Sequence, residues 1–436
     1  MRTVKTKQPP CAVVIGLDHY LGLQTARLFA RRGVPVIGLA KEPGHFGCRT
    51  RVCREILFAD ILGAGLIKAL VALGQTLEQK AVLVPCRDMS VLLISRHREM
   101  LAPYFHFALP PAEVVELLMD KLSFYEFALE QKLPVAKFRL LRHRQEAESA
   151  ARDLSFPCIL KPPLKSPLWE AQTRHKAFKI FDTEEFLARY DQCSPWADVL
   201  MAQEWITGSD ANNYSCNAYF DANSRPLVTF VARKLRQWPP ETGNTSLGIE
   251  CRNRVVLETA LRLFGSVGFH GLAYLEMKRD QRTGQYFIIE PNIGRPTGRS
   301  ALAEASSVEL LYTMYCDQIG WPLPPNREQK YLGVKWIYLR QDLQSAFFYW
   351  RRGELTLRHW WRSLRGRKTY AVLSWADPLP FLEDVRARVL ANARRLLKKW
   401  LSRRPPAGAE TTPRETATAK VNEPQSTVKP ILAEKP

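Results

Sequence analysis

The sequence predicts an α/β chain that opens with a parallel sheet, and three observations point there. A short apolar run at 12–16 leads into a helix-like stretch at 21–32 that Gly33 stops. A second strand-like run follows at once, at 36–40. Connections this short between strand and helix make the strand–helix–strand unit of a parallel sheet. A further buried run, 81–85, follows a helical segment at 66–73. The 436 residues allow two or three domains. With 46% hydrophobic and 24% charged residues, a large core can form and global disorder is excluded.

The remaining elements follow in order. Residues 110–128 read as two helices meeting at Asp120-Lys121. A mixed segment comes next, with strands expected at 158–161, 177–181, 199–203, 214–219 and 227–231, then a helix through 255–264. The basic residues Arg2, Lys5 and Lys7 precede an apolar run that ends at Asp18-His19, too short for a secretory core, so a first buried strand is expected. The most apolar later stretch, 56–73, contains Asp60 and Lys68 and is not expected to span a membrane. Nine scattered cysteines without a C-x-x-C pair read as reduced thiols of a cytoplasmic protein.

A nicotinamide site would need G-x-G-x-x-G after the first strand. Here Gly16 and Gly22 stand six apart with Asp18 and His19 between them. Asp18-His19 and Arg87-Asp88 both follow strands, where open α/β sheets bind ligands, although Asp18 could equally cap a helix.

The most informative stretch is 270–300. Two strand-like runs flank the polar turn 280–284, which reads as a hairpin. With its centre at Thr283, Glu276 and Glu290 pair across the strands, and alternation puts Asn292 on the face of Glu290. Two facing carboxylates among Leu275, Ile288 and Ile289 repel unless a cation lies between them. Glu, Glu and Asn with room for water suit Mg²⁺, whereas a solvated hairpin with two ordinary surface Glu is the plain alternative. The loop 294–300 adds Gly294, Gly298, Arg295 and Arg299, an anion site beside that metal site, and together they favour phosphoryl chemistry.

This order of motifs resembles the ATP-grasp superfamily of carboxylate–amine ligases, from about residue 12 to about 325. The carriers are Asp120-Lys121 with Leu133-Pro134-Val135, the run Phe156-Pro157-Cys158-Ile159-Leu160-Lys161-Pro162, the run Gln203-Glu204-Trp205-Ile206-Thr207-Gly208-Ser209-Asp210, and Glu290-Pro291-Asn292. Within the superfamily, the D-aspartate ligase-like and D-alanine–D-alanine ligase-like members are the most similar. The resemblance implies an ATP-grasp fold, α+β in its nucleotide domain. It divides the first three-quarters of the chain into a Rossmann-like domain (1–115) and an ATP-grasp domain (116–328), while the composition marks off a small basic, Trp-rich helical appendage (329–404) and a tail (405–436) too poor in large apolar residues to order.

It also implies roles. Lys121 and Lys161 hold the ATP phosphates. Gln203, Glu204, Trp205 and Ile206 line the adenine pocket, and Asp210 accepts from the ribose hydroxyls. Glu276, Glu290 and Asn292 bind two Mg²⁺, for which Mn²⁺ can substitute. Arg236 neutralises the transferring phosphoryl group or the acyl phosphate, Arg295 is the second catalytic cation, and the loop 294–300, through Gly298, Arg299 and Ser300, orients the acceptor substrate. One departure is the loop 161–169, which has three prolines and no glycine where many members carry a glycine-rich flap. Lys165 or Lys176 would then supply the phosphate contacts. The implied activity is an ADP-forming ligase for small carboxylate and amine substrates, on a cell-envelope or glycan precursor. The alternative is an ATP-binding accessory protein with little turnover.

The net charge is +20, and residues 331–404 hold 17 basic against 5 acidic side chains and six of the eleven Trp. Three readings apply: solvated charge on an ordinary appendage, a peripheral contact with an anionic membrane through an amphipathic helix at 386–403, and nucleic acid, which no recognisable module supports and which is not expected as a partner.

Overall fold

The computed structural model describes residues 8–163, 167–173, 175 and 177–401. The chain forms two compact units, Met1–Val385 and Arg386–Pro436. The 405–436 tail lies outside the described residues, as do the side chains from Arg395 on.

Five strands form a parallel sheet in the order β3-β2-β1-β4-β5: β1 (Ala12–Ile15), β2 (Val36–Ala40), β3 (Glu55–Phe58), β4 (Ala81–Pro85) and β5 (Phe105–His106). β1, β2 and β4 are buried along their whole length, as a parallel sheet covered on both faces requires. Gly22, in the helix Tyr20–Arg31, lies against the Gly16 carbonyl, where any Cβ would collide with backbone.

An antiparallel four-stranded sheet follows, in the order β6-β9-β7-β8: β6 (Phe138–Leu141), β7 (Cys158–Lys161), β8 (Phe178–Ile180) and β9 (Leu200–Glu204). Leu141, Leu160, Ile180 and Phe186 share its own small core.

The largest sheet has seven strands in the order β14-β13-β10-β11-β12-β15-β16: β10 (Asn213–Phe220), β11 (Pro226–Trp238), β12 (Asn244–Glu250), β13 (Gly271–Arg279), β14 (Tyr286–Ile293), β15 (Lys335–Ile337) and β16 (Lys368–Tyr370). The segment from 329 is therefore not purely helical. Beside the helices Leu339–Arg351 and Leu357–Ser363, it supplies the last two strands of the sheet, β15 antiparallel to β12 and β16 at the edge.

The same segment returns to the first sheet. Asp377, 2% exposed, accepts from Arg27 Nε at 2.9 Å, Thr50 Oγ1 at 2.5 Å and the Arg51 amide at 3.2 Å. Arg27 also donates to the Val372 and Asp377 carbonyls, so a buried guanidinium is fully engaged. All nine cysteines are free. No helix among the described residues is long and apolar enough to cross a membrane.

Candidate active site

The hairpin β13–β14 places Glu276 directly opposite Glu290 and Tyr274 opposite Asn292. The ladder slips by one residue just beyond this pair, where Met277 meets Ile288. Alternation puts Tyr274, Glu276, Glu290 and Asn292 on one face. Glu276 accepts from the Tyr274 hydroxyl at 2.8 Å, forms an ion pair with Lys234 of β11, and lies 4.0 Å from Arg299. Burial works against its charge, but the Lys234 and Arg299 cations outweigh burial and hold the carboxyl below its ordinary range. Glu290 is exposed, and among the described residues its only hydrogen bond comes from Asn292 Nδ2, 3.4 Å away at Oε1.

In the four-stranded sheet, Lys161 ends β7, and its side chain shares a face with Gln203 because Ile159 pairs with Gln203. Lys161 Nζ lies 3.4 Å from Gln203 Oε1. Burial pushes the Lys161 ammonium down, the Lys121 charge adds to that, and Glu290 opposes both, which leaves a pKa of about 8. Lys121 is the first residue of the helix Lys121–Glu130, whose cap Asp120 accepts from the Ser123 amide at 2.8 Å. The two lysines and Glu290 therefore feel one another, although they come from three elements.

The strap after β9 is fastened at both ends. Trp205 N donates to the Pro157 carbonyl at 3.0 Å, and its ring lies under two ammonium groups, Lys179 at 4.5 Å and Lys278 at 4.9 Å. Asp280 in the hairpin turn accepts from Thr207 N at 3.3 Å, Thr207 Oγ1 at 3.0 Å and Arg282 N at 2.7 Å. Burial works against that carboxylate, but the Arg282 guanidinium, which donates to it at 3.2 Å, together with these donors outweighs burial and holds it at about 2. Glu204 turns its carboxylate to the Ser155 amide at 2.9 Å, so that side chain serves the strand end, and Ile206 is buried.

The loop after β14 joins this site to the first sheet. Arg295 donates to Asp88, at the start of the helix Asp88–Arg96, and to Asn292 Oδ1. Thr297 and Ser300 form a reciprocal capping box at the helix Gly298–Ala305, so the Ser300 hydroxyl is spent on backbone. Gly298 sits against the Trp336 ring, where a Cβ would come within 3.0 Å. Arg299 stacks over Tyr274 at 5.4 Å, and its buried Nε has no hydrogen-bond partner among the described residues. His19 caps the helix Tyr20–Arg31, while Asp18 accepts from the Lys41 and Glu42 amides instead. Burial, with Arg87, His45 and Arg295 nearby, keeps His19 neutral, with a pKa of about 3.

Two expected roles change. Arg236 is 5% exposed and donates to Asp342 through Nε at 2.7 Å and Nη2 at 2.9 Å, and to Ser363 Oγ at 2.8 Å. A guanidinium so engaged is a structural cation. Lys234, two residues earlier on β11, is the one that reaches the acidic pair. Asp210, expected to hold ribose, is buried and accepts from Gln237 N at 3.0 Å, Gln237 Nε2 at 2.9 Å and Tyr349 Oη at 2.8 Å, which occupies both oxygens. Lys165 and Lys176 lie outside the described residues. Lys234, Lys179, Lys278 and Tyr125, whose hydroxyl donates to the Ile289 carbonyl beside Glu290 at 3.4 Å, escaped the sequence reading. Of these, only Tyr125 carried a local signal, one helical turn past Lys121.

Among the described residues, no three His, Cys, Asp or Glu side chains gather as a metal site. The donor set is instead two opposed Glu and Asn292. One carboxylate is already neutralised by Lys234, and the other is open on one oxygen. That set of hard oxygens, with space for water and phosphate oxygens, fits Mg²⁺.

No family model matches the chain. A D-aspartate ligase of Enterococcus faecium is 28% identical over 233 residues, covering 51% of this chain and 55% of that protein. A D-alanine–D-alanine ligase of Acinetobacter baumannii is 23% identical over 184 residues, covering 40% and 56%. A formate-dependent phosphoribosylglycinamide formyltransferase of Saccharolobus solfataricus is 34% identical over 228 residues, covering 49% and 54%. The chain thus spans about half the length of the curated relatives it matches. Among solved structures, N5-carboxyaminoimidazole synthetase of Staphylococcus aureus aligns at TM-score 0.57 and 16% identity, over 74% of this chain and 81% of that one. A biotin carboxylase–ATP analogue complex from Campylobacter jejuni aligns at 0.58 and 14%, over 74% of each chain.

Proposed function

We propose that this chain, an ATP-grasp protein by its fold, is an ATP- and Mg²⁺-dependent ligase that activates a carboxylate as an acyl phosphate, releasing ADP, and joins it to an amine that displaces inorganic phosphate. The observation that carries the reading is that Lys161 feels the charges of both Lys121 and Glu290, with the Lys234–Glu276 pair directly opposite Glu290 in the hairpin. When bound, Mg²⁺ would neutralise phosphate charge, with Glu276, Glu290 and Asn292 as its protein ligands. Lys161 and Lys121 position phosphate oxygens as point charges, and the Trp205 strap borders the base side. Arg299, with a buried donor still to satisfy, faces the place where an anionic substrate group would lie. Arg295 holds Asn292 in place from the Asp88 side. Little covalent help is needed for such a reaction, and fixed charge and positioning supply most of the rate.

Cell-envelope or glycan precursors are the substrates we infer, supported by relatives named for D-aspartate and D-alanine ligation. The domain limits at 115, 328 and 404 remain part of this proposal. So does a cytoplasmic location at the inner membrane face, supported here by the charge of the C-terminal segment alone. The test is ADP release across a panel of carboxylates and amines, with Glu290→Gln beside it. Turnover with one pair that vanishes in Glu290→Gln is the expected result. Tight ATP binding with no turnover on any pair would favour the accessory role, and no ATP binding would remove the site assignment.

A further inference from the structure

We propose that the helical hairpin Leu339–Arg351 and Leu357–Ser363 is a docking surface for an anionic phospholipid bilayer. This builds on the membrane location proposed above and moves the contact away from residues 386–403. The helix Leu339–Arg351 has two faces of opposite character. Asp342, Ser345 and Ala346 are buried, with Asp342 held by Arg236. Leu343, Phe347 and Trp350, spaced i, i+4 and i+7, are 48%, 57% and 50% exposed. Leu357 and Trp361 of the next helix are 60% and 63% exposed, and an almost wholly apolar groove runs between the two helices. Aromatic and aliphatic side chains gathered this way form a patch rather than scattered exposure.

The charge around the patch is one-sided. Residues 339–370 contain eight Lys and Arg against only Asp342 and Glu354. Both acids are consumed, Asp342 by Arg236 and Glu354 by Arg352. Arg351, Arg358, Arg362, Arg365 and Arg367 are exposed and have no acidic partner among the described residues. Apolar rings and leucines flanked by uncompensated arginines match a bilayer interface, with acyl chains for the patch and anionic headgroups for the rim. A second copy fits worse, because two such rims on a +20 chain repel. Nucleic acid would engage the arginines and leave the leucines uncovered.

The experiment is sedimentation of the full chain with vesicles of phosphatidylcholine plus phosphatidylglycerol, against phosphatidylcholine alone. Thermal melts serve to verify that each variant is folded. Binding to the anionic vesicles alone is expected. Arg358→Gln with Arg362→Gln should weaken it roughly 25-fold, and Phe347→Ser with Trp350→Ser roughly tenfold or more. As a second readout, brominated acyl chains should quench Trp fluorescence less in Trp350→Phe than in the unaltered chain. If hairpin variants bind normally while Lys398→Glu with Lys399→Glu does not, the hairpin assignment is overturned and the membrane location stands. Absence of binding to either vesicle overturns both, and so does a concentration-dependent dimer that the same hairpin variants abolish.

Discussion

Raising the pH through about 8 should release the nucleotide, because the charge on Lys161 is lost there. Its ammonium is lowered from the usual 10.5 to about 8 by burial and then by Lys121, against the pull of Glu290. One unit above that value only about a tenth of the lysine stays charged, so affinity for an ATP analogue falls roughly tenfold per unit until the pKa of the bound state is reached. Direct titration of a fluorescent analogue against pH measures this without any turnover. Lys161→Arg should flatten the alkaline limb, since a guanidinium does not titrate there. Lys121→Gln should move the limb up, and Glu290→Gln should move it down. The stability sign is the reverse of a salt-bridged lysine. With the folded value below the unfolded one, the group costs about 3 kcal/mol below pH 8, a cost relieved between about 8 and 10.5. Lys161→Met should therefore melt higher at pH 7 while losing the nucleotide. An alkaline limb that stays in place in Lys161→Arg would refute the assignment.

Three further outcomes are expected. Asp342→Ala leaves Arg236 buried without a counter-charge and should cost about 3–5 kcal/mol in urea unfolding, whereas a loss under 1 kcal/mol would show the pair to be dispensable. Asp280→Ala should cost about 2 kcal/mol near neutral pH. Its contribution, present above the unfolded value near 3.8 and lost as pH falls through about 2, should vanish from the acid melt, and nucleotide affinity should drop as the Thr207 strap loosens. Arg236→Lys, which keeps the charge but not the two-pronged contact with Asp342, should lower the melting temperature, and among the molecules that remain folded the affinity for the ATP analogue should be unchanged. Weakened nucleotide binding in that folded fraction would restore Arg236 to the phosphate site.

The parallel sheet and the Glu276–Glu290 pairing were legible because both rest on local pattern, a strand–helix–strand rhythm and a turn flanked by alternating runs. Strands such as β3, β5, β12, β15 and β16 were not, because they are short or belong to a sheet whose neighbours lie far off in sequence. The exchange of Arg236 for Lys234 has the same origin. Both residues stand on β11 in one basic run, and only the pairing with β12 and the position of Asp342, more than a hundred residues on, decide which cation meets Glu276. The engagement of Asp210 was hidden in the same way, since Tyr349, which donates to its carboxylate, lies 139 residues away.

The clasp between Arg27 and Asp377 bears on how the chain is made. A ribosome delivers the first sheet long before residue 377 emerges, and during that interval the guanidinium of Arg27 has neither its carboxylate nor the carbonyls of residues 372 and 377. The earliest part of the chain to be synthesised is thus finished by one of the last parts of its compact unit, across a sequence gap of 350 residues. Synthesis should therefore yield a nascent first sheet that waits, incompletely packed, for the end of the unit. Any shortened chain that stops before residue 377 inherits that unfinished state permanently.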